Sequence, residues 1–154
     1  MLISIPYLLK KLLLFMETTQ KPYAIFDYSE LPLVHIKLTN AEITDQNFGD
    51  YVNEVSEIYK KGRYVILLDA TDTQYVAAKH RITQGNAIKL NKNNVTEFSI
   101  GMAIIAPSVL QRMLLEAIFM IKPYPSELKV CKTKKEALQW INEILEKENI
   151  TTNN

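Results

Sequence analysis

The chain reads as an α/β domain built on a mixed, mostly parallel sheet of five strands with about four helices. Two apolar runs carry this expectation. Tyr64 to Leu68 is unbroken and stops at Asp69, and Phe98 to Ala106 is interrupted only by Ser99 and Gly101. Strands covered on both faces have this composition, because helices pack on each side of a parallel sheet. The third observation is order: around these runs, strand patterns alternate with helical ones across short connections.

Met1 to Phe15 is apolar apart from Ser4, Lys10 and Lys11. It is too short and too charged at its centre to span a bilayer. It also lacks a signal peptide's order of charge, apolar run and small-residue cleavage site. Two readings stay open. Leu8, Leu9, Leu12, Leu13 and Phe15 form an amphipathic anchor facing a membrane or partner, or residues 1–16 are an extension ahead of the domain, which is preferred. The domain then occupies 17–150, with a frayed tail over 151–154.

Tyr23 to Asp27 reads as the first strand, and Ser29, Glu30 and Pro32 supply a turn. Leu33 to Leu38 alternates, with Val34, Ile36 and Leu38 inward and His35 and Lys37 outward, so an opening hairpin is expected. Thr44 and Asp45 offer an N-cap to a helix whose stripe is Phe48, Tyr51, Val52, Val55, Ile58 and Tyr59, closed by Gly62. After the strand ending at Asp69, a helix is expected over Gln74 to Lys92. Its stripe of Tyr75, Ala78 and Ile82 is weak, and Gly85 interrupts it.

Pro107 and Ser108 open a helix over Val109 to Ile121, which Pro123 and Pro125 terminate. Leu128 to Cys131 is a short last strand. Thr133 and Glu136 form a capping box for the final helix, with Ala137, Leu138, Trp140, Ile141, Ile144 and Leu145 facing the core.

Composition narrows function more than it assigns one. The 154 residues are 47% hydrophobic, enough for one sizeable core. A formal net charge of +1 gives no overall field toward nucleic acid. One cysteine, Cys131, excludes a disulfide framework and a paired-cysteine zinc site, and favours a reducing, cytoplasmic setting. The only glycines are Gly49, Gly62, Gly85 and Gly101, so no glycine-rich loop exists to cradle phosphates.

Several features taken in order resemble the STAS superfamily, and more closely its SpoIIAA-like branch of small stand-alone domains. They are the buried strand ending in Asp69, the apolar strand running into Pro107-Ser108, the Pro123-Tyr124-Pro125 break, and the closing Glu136-Ala137-Leu138-Gln139-Trp140-Ile141. The resemblance spans Tyr23 to Leu145. It implies a STAS/SpoIIAA-like fold and a non-enzymatic module that binds a protein partner or a small anion. In the anti-sigma-factor antagonists of this family, a serine opening the helix after the third strand is phosphorylated. Here that position falls on Ala77 and Ala78, and Asp72-Thr73 fits only a shortened loop, so the acceptor does not carry over.

Asp69, Thr71, Asp72 and Thr73 fall at the carboxyl end of a parallel strand, where open α/β sheets bind ligands. A phosphotransfer or magnesium site wants clustered carboxylates, and a dehalogenase-type motif wants an aspartate where Thr71 stands. A turn with an N-cap is the plainer reading. Ser108 with His80 and Asp69 is a notional triad, but it lacks a glycine-flanked elbow. His35 and His80 have no metal-ligand spacing and read as solvated.

From Thr73 to Thr96 there is no acidic residue, while Lys79, His80, Arg81, Lys89 and Lys92 occur. Their positive field suits an anion or an acidic protein surface. Nucleic acid is not expected, since no aromatic platform accompanies the charges. On the Val109 to Ile121 helix, Gln111, Arg112 and Glu116 mark the outer face, which places Leu115 and Phe119 outward as an interface beside Arg112.

The leading expectation is a cytoplasmic regulatory or protein-interaction module that self-associates as a homo-oligomer, without catalysis, cofactor or metal. A second is a small-ligand or lipid binder in which the N-terminal segment and the Val109 to Ile121 helix enclose a pocket or touch a membrane. The least favoured is a metal-dependent phosphotransfer or hydrolase enzyme using Asp69 and Asp72.

Overall fold

A computed structural model describes residues 5–18 and 21–150. The side chain of Phe15 and the tail over 151–154 lie outside the described residues. Helix α1 (Ile5–Thr18) precedes a hairpin of β1 (Ala24–Glu30) and β2 (Leu33–Leu38). Then follow α2 (Asp45–Glu57) with a 3-10 turn (Ile58–Lys61), β3 (Tyr64–Asp69), α3 (Ala78–Leu90) and α4 (Lys92–Phe98). The chain continues through β4 (Ser99–Ile105), α5 (Val109–Ile121), β5 (Glu127–Cys131) and α6 (Lys134–Lys147).

The five strands lie in sequence order, β1-β2-β3-β4-β5, with only β1 and β2 antiparallel. Each parallel connection steps one strand in the same direction, so right-handed crossovers stack α2, α3 and α5 on one face. The core divides accordingly. Val34, Ile36, Ile66, Leu68 and Ile104 meet Phe48, Tyr51 and Val52 of α2 on that face. Leu33, Val65, Leu67, Ala103 and Ile105 meet Ala137, Ile141, Ile144 and Leu145 of α6 on the other. The period of two in each strand and the parallel register, Val34 opposite Ile66 and Leu68 opposite Ile104, keep the two sets apart.

Gly101 has a role beyond interrupting an apolar run. A Cβ there would stand 2.9 Å from Ile144 Cδ1 and 3.1 Å from the Glu127 carbonyl oxygen. The missing side chain lets α6 approach the sheet. Gly62 closes the 3-10 turn at φ 99, a left-handed conformation that suits glycine.

Two boundaries differ from expectation, and the second, together with α1, raises the helix count to six among the described residues. The predicted helix over Gln74 to Lys92 starts at Ala78, because the Gln74 side chain donates to the Asn40 carbonyl and holds residues 70–77 as a loop. It then breaks at Asn91, whose Nδ2 donates to Ser56 Oγ at 3.2 Å and to the Ala87 carbonyl at 2.9 Å. An asparagine that bonds locally offers the backbone an alternative to helix. Residues 92–98 therefore form a separate helix, and Phe98 ends it instead of opening β4.

Candidate functional site

Every parallel strand ends at the same edge of the sheet, and α2, α3 and α5 begin there. Topology alone therefore gathers Asp69, Thr71, Asp72, Thr73, Lys79, His80, Arg81 and Ser108 near this edge. Their side chains are largely occupied by one another or by the backbone. Asp69 Oδ1 accepts from the Thr71 amide at 3.0 Å and from Thr71 Oγ1 at 2.5 Å, which closes a turn after β3. Thr73 Oγ1 is 3.1 Å from the Tyr23 hydroxyl, and Asp72 lies 4.0 Å from Lys37 Nζ. Ser108 Oγ caps α5 by accepting from the Gln111 amide at 3.4 Å.

Ser108, His80 and Asp69 do not assemble as a triad, since each has a different partner. His80 also departs from the solvated reading. It is 6% exposed, packs against Phe48 with ring centroids 4.9 Å apart and planes inclined by 36°, and its Nε2 lies 3.0 Å from Asp45 Oδ1. The helical stripe of α3 is weak, so the contact face is set by the neighbouring α2, which presents Phe48. His35 is half-buried and pairs with Glu30 at 3.0 Å.

Lys79 Nζ reaches the same Asp45 oxygen at 3.0 Å. Lys79 above all, then His80, holds the Asp45 carboxyl below its ordinary range. Arg81 lies over the Tyr75 ring at 5.7 Å and donates to its hydroxyl at 3.2 Å. The positive field read from the sequence is thus reduced by a carboxylate from α2, and one of its charges does have an aromatic companion. Sequence reasoning missed the Asp45–Lys79–His80 group. The signal was there in principle, because parallel crossovers bring successive helix N-termini to one edge. Among the described residues, no three His, Cys, Asp or Glu side chains come together as metal ligands.

Helix α5 is turned opposite to expectation. Leu115 and Phe119 are partly buried and pack on the core with Ala87 and Met102. Gln111 and Arg112 also face inward. Gln111 Nε2 donates to the Ala70 carbonyl at 3.1 Å, and Arg112 Nη1 donates to the carbonyls of Ala106 at 2.8 Å and Pro107 at 2.7 Å. These polar side chains satisfy backbone groups at the strand ends, so polarity did not mark the solvent side. The outward face instead carries Val109, Leu110, Met113, Leu114, Ile118, Met120 and Ile121, each 40% to 85% exposed. Ala117 lies in the middle of that face and Glu116 at its border.

In α1, Leu8, Leu9, Leu12 and Leu13 are also exposed. No helix among the described residues is long and apolar enough to cross a membrane. Grooves among the described residues are shallow, one along the outer side of α6 over Lys135, Leu138 and Asn142, another between Tyr28, Glu54 and Lys61.

No protein-family pattern matches the chain, and no curated protein matches it. Among solved structures it is similar to an uncharacterized protein from the DUF3478 family, with a SpoIIAA-like fold, from Shewanella loihica PV-4. That likeness has a TM-score of 0.55 at 17% identity, and covers 76% of this chain and 90% of the other. The chain has a SpoIIAA-like fold. Within a SpoIIAA-like domain, the hairpin edge, three helices on one face and a lone α6 on the other account for both core clusters. The outward face of α5 is the one large apolar area that the described part of this fold leaves uncovered alongside α1.

Proposed function

We propose that this SpoIIAA-like domain is a non-catalytic interaction module of the cytoplasm that pairs with a second copy of itself through the outward face of α5. One observation carries the proposal: seven large apolar side chains are exposed on a single helix of thirteen residues. A helix that is apolar all round is normally buried. Large apolar faces left exposed on one element usually mark a contact with another protein.

The face suits a twofold contact. Ala117 at its centre allows close approach, and Leu110, Met113, Leu114 and Ile121 around it supply side chains for the partner's opposite positions. Support for a non-catalytic role comes from the carboxyl edge, where Asp69 closes a turn, Ser108 caps α5 and Thr73 meets the Tyr23 hydroxyl. The buried Cys131, whose thiol burial pushes up, suits a reducing compartment.

The test is the solution mass of the wild type and of Leu110→Glu/Met113→Glu, by light scattering at micromolar concentration, with circular dichroism as a check on folding. A dimer that becomes a folded monomer is the expected result. A wild-type monomer, or a substituted chain that stays dimeric, overturns the proposal.

A further inference from the structure

The second uncovered apolar surface, on α1, has a different character. At ~100° per residue, Leu8, Leu9, Leu12 and Leu13 fall within an arc of ~140°, and Lys10 and Lys11 fall ~60° beyond its two borders. The four leucines are 51% to 58% exposed, and none joins either core cluster. No acidic residue occurs from Met1 to Met16.

We infer that α1 lies in the plane of an anionic lipid surface, its leucines in the acyl boundary and its two lysines against the headgroups. Lysines at both borders of an apolar arc can lay their methylene stems along it and keep their charges in the polar layer. Fourteen residues of helix reach ~21 Å, short of a ~30 Å hydrocarbon core, so the segment lies along the surface and does not cross it. Charge selects lipid over a second copy. Two α1 helices packed by their leucines would set lysine against lysine along both seams. The α5 face offers a single carboxylate, Glu116, at its rim. An anionic bilayer supplies negative charge on both sides of the arc at once.

Flotation of the full chain with phosphatidylcholine vesicles, with and without phosphatidylserine, tests this. Binding is expected on the serine-containing vesicles and much less on the neutral ones. Lys10→Gln/Lys11→Gln should weaken partitioning by roughly thirty-fold, at about 1 kcal/mol per lysine. Leu9→Glu/Leu12→Glu should abolish it while the thermal melt of the domain stays unchanged. Failure to float with anionic vesicles overturns the inference. So does equal flotation on neutral vesicles, or flotation that survives Leu9→Glu/Leu12→Glu, which would move the lipid contact to α5.

Discussion

His80 Nε2 lies 3.0 Å from Asp45 Oδ1, joining the first turn of α3 to the first residue of α2. The ring is buried while the carboxylate is exposed, so the two ends of the bond differ in consequence. With the carboxylate accepting, Nε2 is the donor, and Nδ1 has no protein partner among the described residues. His80→Ala removes the bond and leaves a void beside Phe48. A loss of about 2–4 kcal/mol in urea unfolding is expected, by analogy with other large-to-small core changes. Asp45→Ala should lose clearly less, since the carboxylate it removes is already exposed and the ring keeps its packing against Phe48. Equal losses for the two would show that the bond, and not the ring's packing, holds α3 to α2.

The same carboxylate gives the domain an acid-sensitive element. Lys79 first, then His80, lowers the Asp45 pKa, so its contribution to stability is fully present above the unfolded value of about 4. It is lost as pH falls through the lower folded value. Lys79→Met should therefore raise the Asp45 titration toward the ordinary range, read by carboxyl NMR. It should also reduce the acid-limb loss of stability contributed by this group. An unchanged Asp45 titration would refute the pairing.

Gly101→Ala tests the approach of α6 to the sheet. The new Cβ would meet Ile144 Cδ1 at 2.9 Å and the Glu127 carbonyl oxygen at 3.1 Å. The isoleucine tip can swing aside, but the backbone oxygen is held in the β4–β5 pairing of Gly101 with Glu127. A destabilisation of about 1–3 kcal/mol is expected. Ile144→Val, which removes Cδ1, should recover part of it and leave the share due to Glu127. Full recovery in a double-mutant cycle would show that only the side chain is in the way.

Strand order and helix order were legible because each rests on local signals: the apolar run ending at Asp69, the Thr133–Glu136 cap, the prolines after Ile121. Pairings between helices were not. Asp45 and His80 are 35 positions apart, and only the crossover geometry brings them together. The Ala78 and Asn91 boundaries depend on the Gln74 and Asn91 side chains finding Asn40 and Ser56, partners far along the chain. The edge residues Asp69, Thr73 and Ser108 could be placed from sequence, but not their hydrogen bonds.

The orientation of α5 is where sequence and structure part, and a pair of adjacent leucines measures it. Polarity pointed Leu115 outward, yet Gln111 and Arg112 turn inward to meet the carbonyls of Ala70, Ala106 and Pro107, and Leu115 goes with them. Its neighbour Leu114 is 52% exposed. Leu115→Ala is expected to lower stability by about 2–3 kcal/mol, as a partly buried core leucine. Leu114→Ala should stay within about 0.5 kcal/mol for the monomer, as surface positions do. If Leu114 lies in a dimer contact, its loss instead appears as a concentration-dependent midpoint, because association stabilises by mass action. Unfolding both variants at two protein concentrations separates the cases. A larger monomer loss for Leu114→Ala than for Leu115→Ala would reverse the assigned orientation of the helix.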